Sequence, residues 1–176
     1  PNPTQVLAGR WARWFPPGIA YTRAAQALGN LKGISAQVPL CVLHAVLFSW
    51  FNGWTTSRRF QVVPPLACRF GHHCGGNDDL EHYAVCPELW GSFPHWADLK
   101  LDYVDQLSLS RFLLADSDDP RPPIKAAVAV FAVLGAFNLA KVREAKFSHL
   151  ELRAALTERI QMLRVRSRNI RRAFNR

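Results

Sequence analysis

Four residues that can ligate a metal, Cys68, Cys74, His82 and Cys86, fall within a stretch of nineteen residues of a 176-residue chain. The spacing Cys-x5-Cys-x7-His-x3-Cys provides three thiolates and one imidazole, which is the donor set of a closed tetrahedral zinc site. His82 and Cys86 stand at i and i+4, on one face of a helical turn. The first half is less regular. Cys68-Arg69-Phe70-Gly71-His72-His73-Cys74-Gly75-Gly76 holds two further histidines, and either His72 or His73 is an alternative to Cys74 as the second ligand. Gly71, Gly75 and Gly76 supply the backbone freedom that turns around a metal require. Three of the four cysteines in the chain lie in this stretch, so the cysteines read as a metal site in a reducing compartment and not as a disulfide framework. A catalytic zinc would need an open coordination position, which a full set of three Cys and one His does not leave.

The rest of the chain must fold around that loop. Hydrophobic residues make up 49% and charged residues 20%, enough apolar surface for one core but not for two comfortable domains. The run from Pro39 to Phe51, PLCVLHAVLFSWF, predicts a core helix with Pro39 at its first position and Asn52-Gly53 as its stop. Cys41 and His44 on that helix read as packing residues. A second helix is expected from Ile124 to Lys146. Its run AAVAVFAVLGAFNL is shorter than the ~20 residues that span a bilayer, and a buried helix is the better reading than a membrane span. One or two short helices are expected between Trp90 and Leu114, followed by a solvated acidic loop from Asp116 to Pro123. The predicted fold is mainly α: a helical zinc-binding domain over 33–146 around a loop at 67–87, an N-terminal arm over 1–32, and a long basic C-terminal helix over 147–176. The arm carries a short helix near Tyr21 to Leu28. Its Arg10, Trp11, Arg13 and Trp14 suit either stacking on nucleic acid or anchoring on the domain.

Charge is unevenly placed. The net charge is +9, and +7 of it lies between Arg159 and Arg176, where no acidic residue occurs. Such a basic segment predicts a polyanionic partner. Ser148 and Glu151 form a capping box for this last helix. Its apolar stripe is Leu156, Ile160, Leu163, Ile170 and Phe174. On one continuous helix at 100° per residue, Arg164, Arg168, Arg171 and Arg172 centre roughly 100° from that stripe, placed to meet phosphates while the stripe docks. Arg58, Arg59 and Arg166 complete the expected nucleic-acid contacts.

The run from Trp50 to Pro87 resembles the zinc-knuckle region after the polymerase of non-LTR (LINE-type) retrotransposon reverse transcriptases. The resemblance rests on the apolar helix, Trp54-Thr55-Thr56-Ser57-Arg58-Arg59-Phe60, the cysteine-rich turn and the closing Glu81-His82-Tyr83-Ala84-Val85-Cys86-Pro87. Phe112-Leu113-Leu114-Ala115 and the helix with Phe137-Asn138 and Arg143 are similar to the helical end of such polyproteins. The resemblance implies that Cys68, Cys74, His82 and Cys86 are zinc ligands and that the region holds template RNA or target DNA without catalysing a reaction. The first cysteine spacing is wider than the family's. The aromatic-x-Asp-Asp motif of a polymerase is missing, and no Walker loop, dinucleotide fingerprint or nuclease carboxylate set is evident. The expectation is a non-enzymatic zinc module that binds nucleic acid, RNA ahead of DNA. The alternative is a retroelement-derived structural subunit of a large assembly, such as an organellar ribosome or membrane complex. No secretory signal opens the chain. It begins with Pro1, which leaves open a removed leader or a start inside a longer polypeptide, and the expected setting is a reducing intracellular compartment, the nucleus or an organelle.

Overall fold

The computed structural model describes residues 2–71, 74–99, 105–116, 122–143 and 146–175. The protein is mainly helical, with α1 (Pro3–Trp11), α2 (Pro17–Ile34), α3 (Leu40–Trp50), α4 (Leu80–Val85), α5 (Pro87–Gly91), α6 (Asp105–Phe112), α7 (Pro123–Val142), α8 (His149–Arg166) and α9 (Arg168–Phe174), and a 3₁₀ turn at His95–Ala97. β-Structure among the described residues is limited to isolated bridges, Ala67 with Asn77 and Phe70 with Phe147.

Helix α7 is the axis of the fold and packs against α2, α3, α6, α8 and α9. Its Ala, Val and Gly residues let neighbours approach on every side, and Ala127, Val128, Ala132, Val133 and Phe137 are fully buried. It is long and apolar enough to cross a membrane, yet 67% of its most apolar window is buried inside the protein. An apolar run enclosed on all sides reads as a core helix.

Large aromatics fill the space between the helices, and each of the following buried indoles has its N–H satisfied. Trp11 donates to the Trp50 carbonyl at 3.1 Å, Trp50 to the Leu113 carbonyl at 2.8 Å, Trp54 to Ser49 Oγ at 2.9 Å and Trp90 to the Tyr83 carbonyl at 3.1 Å. These bonds let a side chain with a polar edge sit in the core without an unpaired donor.

Several expectations change. The N-terminal segment is not an arm: α1 and α2 form a helical pair, and Leu7, Trp11, Trp14, Phe15, Ala20, Ala24 and Ala27 are buried. Pro16-Pro17 separates the two, with Pro17 at the first helical position of α2, where its missing N–H costs nothing. Cys41 does not pack in the core; it is exposed, as is His44, because α3 turns Val42, Ala45, Val46 and Trp50 inward instead. Pro39 is the N-cap of α3, one position earlier than expected. Helix α7 stops at Val142, with extended backbone at Arg143, short of Lys146. Asp116 is buried, held by Arg23 at 3.2 Å and Arg111 at 3.1 Å, so the start of the acidic loop belongs to the core; 117–121 lie outside the described residues.

The C-terminal helix is two helices. The capping box at Ser148 and Glu151 is present, but Ser167 leaves helical geometry at φ −129°, ψ 117° and caps α9 by accepting from the Ile170 N–H. The stripe stays docked across the break, with Leu156, Ile160, Leu163, Ile170 and Phe174 all buried.

Candidate metal centre and its basic surroundings

Residues 66–68 and 76–78 meet in a single antiparallel bridge, with Cys68 N–H donating to the Gly76 carbonyl and Asp78 N–H to the Leu66 carbonyl, both at 2.8 Å. That pairing returns the chain so that Cys68 faces α4. Asp79 caps α4 and accepts from the His82 N–H at 2.6 Å, fixing the turn that carries His82, and α4 ends at Val85 with Cys86 as its C-cap, because Pro87 cannot continue its hydrogen bonding.

The ligand atoms of Cys68, Cys74, His82 and Cys86 all lie within 4.8 Å of one another. Cys68 Sγ and Cys74 Sγ are each 3.7 Å from Cys86 Sγ, and Cys74 Sγ is 3.1 Å from His82 Nε2. With metal–sulfur bonds of about 2.3 Å, a tetrahedron separates its sulfurs by about 3.8 Å. A disulfide would hold them near 2.05 Å. The four side chains therefore fit one tetrahedral cation. Cys74 is in the cluster; His72 and His73, the alternative second ligands, lie outside the described residues.

The three thiols do not ionise independently. A hydrogen bond from the Cys86 thiol, against the effect of burial, brings Cys68 down to about 5. The same contact with Cys68, with burial, pushes Cys86 up, and burial raises Cys74. One thiolate is stabilised at the expense of the next, as expected for adjacent like charges. The Phe70 N–H, 3.4 Å from Cys68 Sγ, supports that charge. Two glycines leave room for this turn: at Gly76 a Cβ would lie 2.1 Å from His82 Nδ1, and at Gly71, with φ +79°, it would lie 2.7 Å from Glu88 Cγ. Gly75 has no such neighbour.

A buried carboxylate ties this loop to the rest of the domain. Asp78 is fully buried, accepting from Tyr83 Oη at 2.6 Å and from the Ser57 N–H at 2.9 Å, with Arg69 Nη2 at 3.4 Å. Burial, and then the bond to Asp78, raises the Tyr83 phenol, so it remains a donor. The Tyr83 ring packs against Phe70, Trp54 and Phe137, the last on α7. Spacing alone did not identify this Asp78, Tyr83, Arg69 and Ser57 group, since its members meet only when the loop is folded. Asp79 was more legible, as an acidic residue just ahead of a short helix.

The basic residues divide. Arg58, expected as a nucleic-acid contact, meets Asp79 at 3.4 Å and Glu81 at 3.3 Å while its side chain stays largely exposed. Arg59 donates to the Gly53 carbonyl and lies over the Phe60 ring. Because the helix breaks at Ser167, the four arginines expected on one continuous face are not equivalent. Arg164 lies over Trp96 at 4.8 Å and donates to Asn175 Oδ1, while Arg171 donates to the Arg164 and Val165 carbonyls at the end of α8. Such C-terminal carbonyls are a natural seat for a guanidinium. Arg166, Arg168 and Arg172 are exposed.

No protein-family model, curated protein or solved structure matches the chain.

Proposed function

We propose that the protein is a non-catalytic zinc-binding module that binds nucleic acid, RNA in preference to DNA, through its basic surface. The observation that carries the reading is the set of four ligand atoms within 4.8 Å of one another, three of them thiols. Soft thiolates with one imidazole select zinc over the hard cations, and a filled tetrahedron supplies folding energy and no open position for substrate. The net charge of +9 and the exposed Arg166, Arg168 and Arg172 supply attraction to phosphates. On the resemblance of residues 50–87, the module corresponds to the region that follows a LINE-type polymerase. Protein prepared without chelators is expected to carry one zinc per chain. Less than about half an equivalent by elemental analysis overturns the assignment of the metal.

The second reading, a structural subunit of a large assembly, draws on exposed apolar side chains: Leu40, Val63, Val142, Leu150 and Val165 are each at least 73% exposed. They are spread over α3, the segment after it, α7 and the two ends of α8, and scattered exposed hydrophobics are ordinary on protein surfaces, which keeps this reading second.

A further inference from the structure

A cleft of ≈ 370 Å³ lies between α1 and the segment after α3, lined by Arg10, Arg13, Phe51, Arg58, Arg59 and Gln61, with Asp79 and Glu81 at the metal loop. Four guanidinium groups face two carboxylates there, an excess of two positive charges. Both carboxylates are engaged by Arg58, and Asp79 also caps α4. Among the described residues Arg10 and Arg13 form no ion pair, and Arg13 lies over the Trp14 ring at 4.6 Å. Burial lowers the Arg13 guanidinium; Glu81 opposes this, and Arg10 and Arg58 reinforce it, as expected where cations converge. The Phe51 side chain, at the end of α3, is 45% exposed on the wall of this cleft, and Phe60 beside it is 62% exposed with Arg59 over its ring.

We propose that this cleft is a subsite for single-stranded nucleic acid, in which Arg10 and Arg13 hold backbone phosphates and Phe51 stacks on an unpaired base. It rests on the nucleic-acid reading above and assigns that reading a place: beside the metal loop, and not only on α8 and α9. Guanidinium groups with an exposed aromatic ring form the combination that binds single strands, because every base has a face that can stack while duplex bases are already covered. Metal binding and strand binding are joined physically, since Arg58 reaches the cleft from the same contacts that hold Asp79 and His82 in place.

The test is binding of a fluorescent oligouridylate of about 10 nucleotides to the full zinc-loaded chain. Arg10→Gln with Arg13→Gln should weaken binding about tenfold or more and lower the log-affinity against log-salt slope by about 0.7 per phosphate lost, at unchanged zinc content. Phe51→Ala should weaken the single strand about fivefold or more and leave a duplex competitor unaffected. Thiouridine crosslinking on the unaltered protein should label peptides from α1 or residues 51–61, which makes the test independent of variant folding. If the unaltered chain binds but these variants and crosslinks leave the cleft uninvolved, the cleft assignment is overturned and the general reading survives. If the unaltered chain does not bind oligouridylate or duplex, both fall. Equal competition by ATP at the same phosphate concentration also overturns the strand assignment.

Discussion

Asp78 shows how much one side chain does in this domain. Its carboxylate joins the 54–60 segment, Arg69 and Tyr83, and is fully buried while doing so. Removing one member of a buried, satisfied network leaves the others without partners, which is costlier than the loss of the bonds themselves. Asp78→Ala should destabilise the domain by on the order of 3 kcal/mol in denaturant unfolding and weaken zinc retention. A change within about 0.5 kcal/mol would mean that water or a shifted Arg69 replaces the carboxylate easily. Gly76 is constrained by space instead. A Cβ there would lie 2.1 Å from two atoms of the His82 ring, so Gly76→Ala should lower zinc affinity by displacing the imidazole, whereas Gly75→Ala, with nothing within 4 Å, should not. Comparing the zinc-chelator competition midpoints of the two variants checks this directly.

At the scale of elements, the informative feature is the end of the chain. The 4-3 rhythm of the stripe has Ser167 in the slot between Leu163 and Ile170, and the hydroxyl of Ser167 is worth more as the N-cap of α9 than as a helix-interior residue, because serine competes for backbone donors. The break lets Arg171 fold back on the α8 carbonyls. Ser148→Ala should cost about 1 kcal/mol through the loss of the α8 cap, read by thermal unfolding. Glu151, its partner in the capping box, is held down to about 2 by the Ser148 backbone N–H, by Arg143 and by the Ser148 hydroxyl. A depressed carboxylate contributes stability that is complete above its unfolded value near 4.5 and is lost as pH falls toward 2. The difference in stability between the unaltered chain and Glu151→Gln should therefore shrink as pH falls through this window; a constant difference down to pH 2 argues against a charge-assisted cap.

For the whole molecule, the metal loop and the α7 core are held by different forces. On the proposed reading the loop depends on four metal ligands and the Asp78 network, while α7 is enclosed by α2, α3, α6, α8 and α9. Stripping the metal with a strong chelator should accelerate amide exchange over residues 67–86 far more than over 126–140, by hydrogen-exchange mass spectrometry. Uniform acceleration would mean that the site nucleates the entire fold. Affinity for nucleic acid is expected to be salt-dependent. Replacing Arg166, Arg168 and Arg172 by Gln should reduce the log–log salt slope by roughly two to three units if each meets one phosphate, while Arg164 and Arg171, engaged within the protein, should contribute less to it. An unchanged slope would place α8 and α9 against protein.

What the sequence determined by itself was what depends on neighbours along the chain. The donor set and its closing i, i+4 pair, the core helix near 40–50, the apolar α7, the Ser148 capping box and the docked stripe are all local in this sense, since periodicity and caps act within a few residues. Tertiary structure decided where local signals conflict or are silent. Trp11 and Trp14 looked equally suited to stacking on nucleic acid or to anchoring on the domain, and both are buried in the core. Cys41 lies in an apolar run, but the face of α3 that met α7 left it outside. The sequence could not show that folding brings Asp79 and Glu81, more than twenty residues on, within 3.4 Å of Arg58. Burial and pairing of charge are properties of the closed chain: the partners of Arg58 and Asp78 are separated in sequence, and only the enclosed geometry sets the distances between them.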